Sequence, residues 1–239
     1  MEQVFTIYPA IDLLGGRAVR LQQGRREQVT DCGDPVELAA RWRQEGAQWL
    51  HVVDLEAAFD GHSSQGETMH KIVRAFQGPV QLGGGIRTMD DIRTRLSEWG
   101  IARCILGTAA ITEPDFVRIA CDKYPGRIAC GIDAKDGFVA IRGWVDVSSM
   151  TVAELARNMQ KAGVAALIYT DISRDGMLSG PNVQATKELI IQVKIPVIAS
   201  GGIAGLNDLK DIKDAGCAGV IVGKALYSRA FSFSQALAV

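Results

Sequence analysis

Two aspartates stand at the ends of short apolar runs, half a chain apart, where a carboxylate can give or take a proton. In IYPAIDLLGGRAVRL the run Ile7 to Ile11 leads into Asp12, and in CGIDAKDGFVAIRGW the run Ile128 to Ile132 leads into Asp133. Two carboxylates facing a ligand from opposite sides suit general acid and general base work, because their surroundings can keep one protonated while the other stays ionised. The residues alone leave a second reading open, in which both aspartates cap helices or bind backbone amides.

Glycines form a second constellation. GGGIRT (Gly83 to Thr88, with Gly84, Gly85 and Arg87) and SGGIAG (Ser200 to Gly205, with Gly201 and Gly202) each follow an apolar run and precede a helix start. Unhindered backbone N–H groups beside a helix N-terminus make an anion site, and phosphate is the natural occupant. GTAA, with Gly107 and Thr108, and GKAL, with Gly223 and Lys224, follow the next runs in each half. One glycine pair can be only a tight turn. Two matched sets predict a ligand with two phosphate ends and its reacting atoms between them.

These residues need a frame that holds them on one side. Eight β-rich runs end in Asp or Gly: Phe5 to Asp12, Trp49 to Asp54, Val80 to Gly83, Arg103 to Gly107, Ile128 to Asp133, Ala166 to Asp171, Val197 to Gly201 and Gly219 to Gly223. Their near-continuous apolar character predicts parallel strands covered by helices on the outside. Thr151 and Glu154 form a capping box for a helix ending at Gly163, and Thr88 starts a second that stops at Gly100. Weaker helical spacing covers 35–45, 67–76, 113–123, 182–192 and 206–215. Asp12 with Asp133, Asp54 with Asp171, Gly84 with Gly201 and Gly107 with Gly223 recur at nearly one offset, so the chain reads as two similar halves of four βα units. The expectation is α/β class, a single (β/α)8 TIM barrel over 1–239, with Asp12 and Asp133 opposed across its mouth.

Composition excludes several other functions. Lys plus Arg number 26 against 27 Asp plus Glu, a net charge of -1, so there is no field to collect nucleic acid or an anionic membrane. The five cysteines are odd in number and form no CxxC pair, which speaks against a disulfide framework and a zinc site. His51, His62 and His70 form no HxH or HExxH, and His51 reads as a structural strand residue; no metal is expected. No GxGxxG follows the first strand, and no targeting segment or apolar run of membrane length is present, so a cytoplasmic location is expected.

PAIDLLGGRAVRLQQG, QLGGGIRT, YTDISRDGMLSGPN, ASGGI and GVIVGKAL closely resemble the ProFAR isomerase family of histidine biosynthesis, from Ile7 to Leu226. The related cyclase of imidazole glycerol phosphate synthase shares the barrel, the aspartates and the glycines, but LHVVDLEAAFDG and TDISRDGMLSGPN look like the isomerase. The resemblance implies an Amadori rearrangement of an aminoaldose phosphate to an aminoketose phosphate, with a small bis-phosphate substrate and no cofactor; a monomer is expected, though the resemblance does not imply it. The resemblance does imply Asp12 as general base, Asp133 as general acid and Thr170 as a threonine assisting the reacting sugar. It further implies Asp175 and Arg20 as substrate contacts, and Arg142 and Trp144 on a mobile fifth loop, Phe138 to Trp144, whose indole stacks on the aminoimidazole ring. Met177 and Gln65 depart from the family's usual Thr and Asn. Arg142 near Trp144 is also similar to relatives that isomerise phosphoribosylanthranilate as well.

Overall fold

The computed structural model describes residues 5–22, 25–141 and 143–239. Its strands are β1 (Thr6–Leu14), β2 (Arg17–Gln22), β3 (Arg25–Gly33), β4 (Leu50–Asp54), β5 (Val80–Gly83), β6 (Arg103–Leu106), β7 (Ile128–Lys135), β8 (Phe138–Ile141), β9 (Asp146–Thr151), β10 (Leu167–Asp171), β11 (Val197–Ser200) and β12 (Gly219–Val222). Eight of them close a parallel barrel in the order β1-β4-β5-β6-β7-β10-β11-β12, sealed where β12 pairs with β1. This is the (β/α)8 barrel expected, and its eight strands lie within one or two residues of the predicted runs.

Alternation along each strand decides what faces the barrel axis. Ile7, Ile11 and Leu13 of β1 point outward to the helices, whereas Tyr8 and Ala10 point into the barrel, and Asp12 continues that inward row. On β7, Ile128, Cys130 and Ile132 pack outward and Ala129 inward, which carries Asp133 to the inner mouth. On β10 the inward row is Ala166, Ile168 and Thr170. Period-two patterning therefore puts all three polar side chains over an apolar floor.

The anticipated helices form with the anticipated ends. Thr151 and Glu154 make a reciprocal capping box for Val152–Ala162, and Gly163 closes it at φ 89°. Thr88 and Asp91 make another for Met89–Arg93, which continues as a wider turn over Thr94–Glu98. Pro35–Gln44, Gly66–Phe76, Pro114–Lys123, Val183–Ile190 and Leu206–Asp214 fill the remaining predicted segments.

The main departure lies in the first and fifth loops. Phe138 to Trp144 is not simply a loop: β8 turns through Gly143, Trp144 and Val145 into β9, giving an antiparallel hairpin on the end of β7. β2 and β3 extend β1 in the same way. Each half-barrel thus carries a hairpin after its first strand. The DVSSMT sequence of β9 hid this, because both faces are polar or part-exposed and no apolar alternation marks the strand. Among the described residues no helix is long and apolar enough to cross a membrane.

Candidate active site

The inward rows end at a cavity of about 910 Å³, lined by residues from the carboxyl ends of the strands and the loops beyond them. Asp12 and Asp133 both line it, as do Thr170, Arg20, Trp144 and Asp175. Arg142 lies outside the described residues.

The two aspartates have different partners. Arg20, on β2, folds back over Asp12 and sets Nη1 2.8 Å from Oδ2, both side chains being largely buried. Gly223 makes this approach possible: a Cβ there would sit 2.6 Å from Arg20 Nη2. Burial pushes the Asp12 carboxyl above its ordinary range, the Arg20 cation opposes that shift, and nearby Asp175 adds to it. Asp133 instead receives neutral donors. Trp144 Nε1 donates to its Oδ2 at 2.8 Å, and Thr170, directly across in the β7–β10 register, hydrogen-bonds to it through its side chain. Burial raises the Asp133 carboxyl, the two hydrogen bonds lower it, and Asp175 raises it. Asp175 is itself raised by desolvation, against the pull of Arg20 and Lys224.

The second symmetric acid pair has the structural role left open above for the first. Asp54 accepts from the Ala57 N–H and the Ser63 hydroxyl. Asp171 accepts from the Ser173 N–H at 3.0 Å and from Asn182 Nδ2 at 2.7 Å. These aspartates tie down loops; Asp12 and Asp133 line the cavity.

The glycine loops occupy opposite sides of the mouth. Gly84 (φ 105°), Gly85 (φ 63°), Gly201 (φ 87°) and Gly202 (φ 84°) all take left-handed backbone and line the cavity. Close packing enforces three of them, since a Cβ would lie 2.2 Å from Asp54 O at Gly84, 2.3 Å from Ala57 O at Gly85 and 2.4 Å from Gly180 O at Gly202. The helix starts just beyond are occupied. Asp91 Oδ2 takes the N–H groups of Arg87 and Thr88, and Asp208 Oδ2 takes those of Ala204 and Gly205. Donors at both helix ends are thus partly taken up within the loops, while the loop glycines, Gly107, Thr108, Gly223 and Lys224 line the cavity. Lys224 Nζ donates to Gly176 O at 2.7 Å, linking the loops after β12 and β10, while Arg87 is exposed at the rim with its guanidinium over Gly61.

A family model described as histidine biosynthesis protein matches residues 6–232. The chain belongs to this family. Its relatives include a protein of Granulibacter bethesdensis, 53% identical over 225 residues covering 93% of each chain. A Thermodesulfovibrio yellowstonii protein is 49% identical over 98% of this chain and 96% of its own, and one from Geobacter sp. strain M21 is 50% identical over 98% and 97%. All three carry the name 1-(5-phosphoribosyl)-5-((5-phosphoribosylamino)methylideneamino)imidazole-4-carboxamide isomerase.

One polar group that the sequence reads as a structural strand residue, His51, also reaches this family member's cavity. His51, on β4, is 8% exposed and lines the cavity. Its Nδ1 lies 2.9 Å from Gln81 Nε2 on β5, and Gln81 Oε1 accepts from Arg103 Nε on β6 at 3.1 Å and from Arg103 Nη2 as well. Arg103 packs its guanidinium 4.6 Å from the Trp49 ring. Neighbouring-strand register brings His51 opposite Gln81 and Gln81 opposite Arg103, a juxtaposition that no local motif encodes.

Proposed function

We propose that this chain catalyses the isomerisation for which its relatives are named, converting an N-linked 5-phosphoribosyl aminoaldose to the corresponding aminoketose in histidine biosynthesis. The observation that carries the assignment of roles is the unequal pairing of the two aspartates: Asp12 with a cation, Asp133 with neutral donors. Burial raises both carboxyls; at Asp12 the Arg20 cation opposes that shift and favours the carboxylate a base requires. Among the described residues Asp133 has no such cation in its contacts, and burial outweighs its two neutral hydrogen bonds, which favours the protonated form an acid requires.

The steps follow from those states. Asp133 gives its proton to the ring oxygen as the C1–O bond breaks, and the nitrogen lone pair closes a C1=N bond. Asp12 then removes the proton at C2, and the C–H electrons form C1=C2 while the iminium is neutralised. Loss of the enaminol O–H proton and protonation at C1 give the C2 ketone. Thr170 orients Asp133 throughout. Asp175, between Arg20 and Lys224, contacts the substrate and adds negative charge that favours protonation of both acids.

Glycine loops in opposite halves suit a substrate with two phosphate ends, one at Gly84, Gly85, Gly107 and Thr108, the other at Gly201, Gly202, Gly223 and Lys224, with Arg87 at the rim. Trp144 occupies an oxygen of Asp133, so protonation of substrate through that oxygen requires the indole to leave. Once released, its ring can stack on the aminoimidazole. Incubating the purified chain alone with ProFAR and following the product's absorbance tests this reading; no turnover in the absence of any partner would overturn it.

A further inference from the structure

The barrel interior carries a polar column that the mechanism above does not use. It starts at Arg103, 9% exposed, passes through Gln81, fully buried, and ends at His51, 8% exposed at the cavity floor. The chemistry of each member fixes the next. A guanidinium has only donors, so the Gln81 oxygen must face Arg103, where it accepts from Nε and Nη2. The Gln81 NH2 must then face His51 Nδ1, at 2.9 Å, and Nδ1 must be the acceptor. A neutral imidazole that accepts at Nδ1 carries its proton on Nε2. Neutrality has its own cause: burial first, then the positive charges of Arg20 and Arg103, hold the His51 pKa down to about 3.

We infer that His51 presents a fixed Nε2–H donor to a hydroxyl oxygen of the substrate's ribosyl group, and that Gln81 and Arg103 are positioning residues which set its tautomer from below. The inference rests on the proposed isomerase reading. A sugar oxygen is the fitting acceptor: an uncharged donor on β4, next to the strand that carries Asp12 and one inward position below it (His51 pairs with Ala10), lies on the cavity wall under the acid that takes the C2 proton, and the glycine loops follow other strands. An Nε2–H that cannot change its protonation state keeps donating while Asp12 and Asp133 exchange protons. It neither competes as a base nor flips between turnovers.

The test combines a spectroscopic and a kinetic readout on the full chain. In 15N-histidine-labelled protein near neutral pH, with the His51 signals assigned by their loss in His51→Gln, Nε2 should be protonated and Nδ1 bare. His51→Leu should lower kcat/KM by about 100-fold, as expected for loss of one preorganised donor, chiefly through kcat. His51→Gln, which returns an N–H near the Nε2 position, should stay within about fivefold of the original. Gln81→Glu substitutes an acceptor for the NH2 donor; it should move the His51 proton to Nδ1 and lower kcat with the fold intact. A protonated Nδ1 in the unsubstituted protein, or a His51→Leu rate within about threefold of the original, would overturn the inference. Should His51→Leu fail to fold, the Gln81→Glu spectrum and rate decide. An unsubstituted protein that does not turn over ProFAR sinks the isomerase reading, while the tautomer spectrum still reports on the column by itself.

Discussion

The Trp144 indole N–H donates to Asp133 Oδ2 at 2.8 Å, so a residue of the hairpin turn is bound to the carboxyl at the barrel rim. Gly143 (φ 64°) and Trp144 (φ 73°) both take left-handed backbone at that turn. For Trp144 this conformation is unfavourable, and the hydrogen bond helps to hold it. Trp144→Phe keeps a stacking ring and loses the donor. It should raise KM by less than about tenfold, whereas Trp144→Ala, which loses the stacking as well, should raise it by more. Steady-state kinetics on the two variants separate the ring from the hydrogen bond.

The glycines divide into those the fold requires and those left for a ligand. Gly84→Ala places a methyl 2.2 Å from Asp54 O at φ 105° and should cost more than about 2 kcal/mol, read as a lower Tm. At Gly107 a Cβ meets nothing within 4 Å. Gly107→Ala should therefore leave Tm within about 1–2 °C of the original, so that a rise in KM reports crowding of the bound ligand.

Gly223→Ala tests the support of the Asp12 ion pair. Its methyl would sit 2.6 Å from the end of the Arg20 side chain, a flexible group that can move away. Stability should change little, while Arg20 leaves Asp12, whose carboxyl then rises further with burial. The acid limb of the kcat/KM profile should shift to higher pH. An unshifted limb would separate Arg20 from control of Asp12.

Burial also makes the two acids a stability cost. Each has a folded pKa above its ordinary value, so between the two values the folded state binds the extra proton, and stability falls as pH rises through that window. At neutral pH Asp133→Asn should raise Tm, because the amide can keep the Trp144 and Thr170 contacts and carries neither the cost of a buried charge nor that of binding a proton above the ordinary carboxyl range. Asp12→Asn should not, because it strands the Arg20 cation. His51 has the opposite sign: with a folded pKa near 3 against about 6.5 unfolded, it lowers stability as pH falls from about 6.5 to about 3. Denaturant midpoints across that range should fall less steeply in His51→Gln.

Most of the barrel was legible because its strands are apolar throughout and its helices carry explicit ends, such as Thr151 with Glu154 and Gly163. Repetition then placed Asp12 opposite Asp133, and the alternation along β1 and β7 in the structure turns both inward. What stayed hidden depends on contacts between strands. Nothing near His51 in sequence announces Gln81 or Arg103; only the β4–β5–β6 register aligns them. In the hairpin after β7, β9 escaped notice because a half-exposed polar strand lacks the hydrophobic pattern of the barrel. The internal capping of the glycine-loop helices by Asp91 and Asp208 was readable for Thr88 and Asp91, yet its consequence for an anion site emerged only from the hydrogen bonds.

The division of labour between Asp12 and Asp133 is tested most directly by single-turnover kinetics with ProFAR on Asp12→Asn and Asp133→Asn, together with the affinity of each variant for substrate. Each substitution should lower the rate of the chemical step by about 10²-fold to 10⁴-fold while binding changes only a few-fold. A chemical step near the original rate in either variant would remove that aspartate from proton transfer and contradict the account.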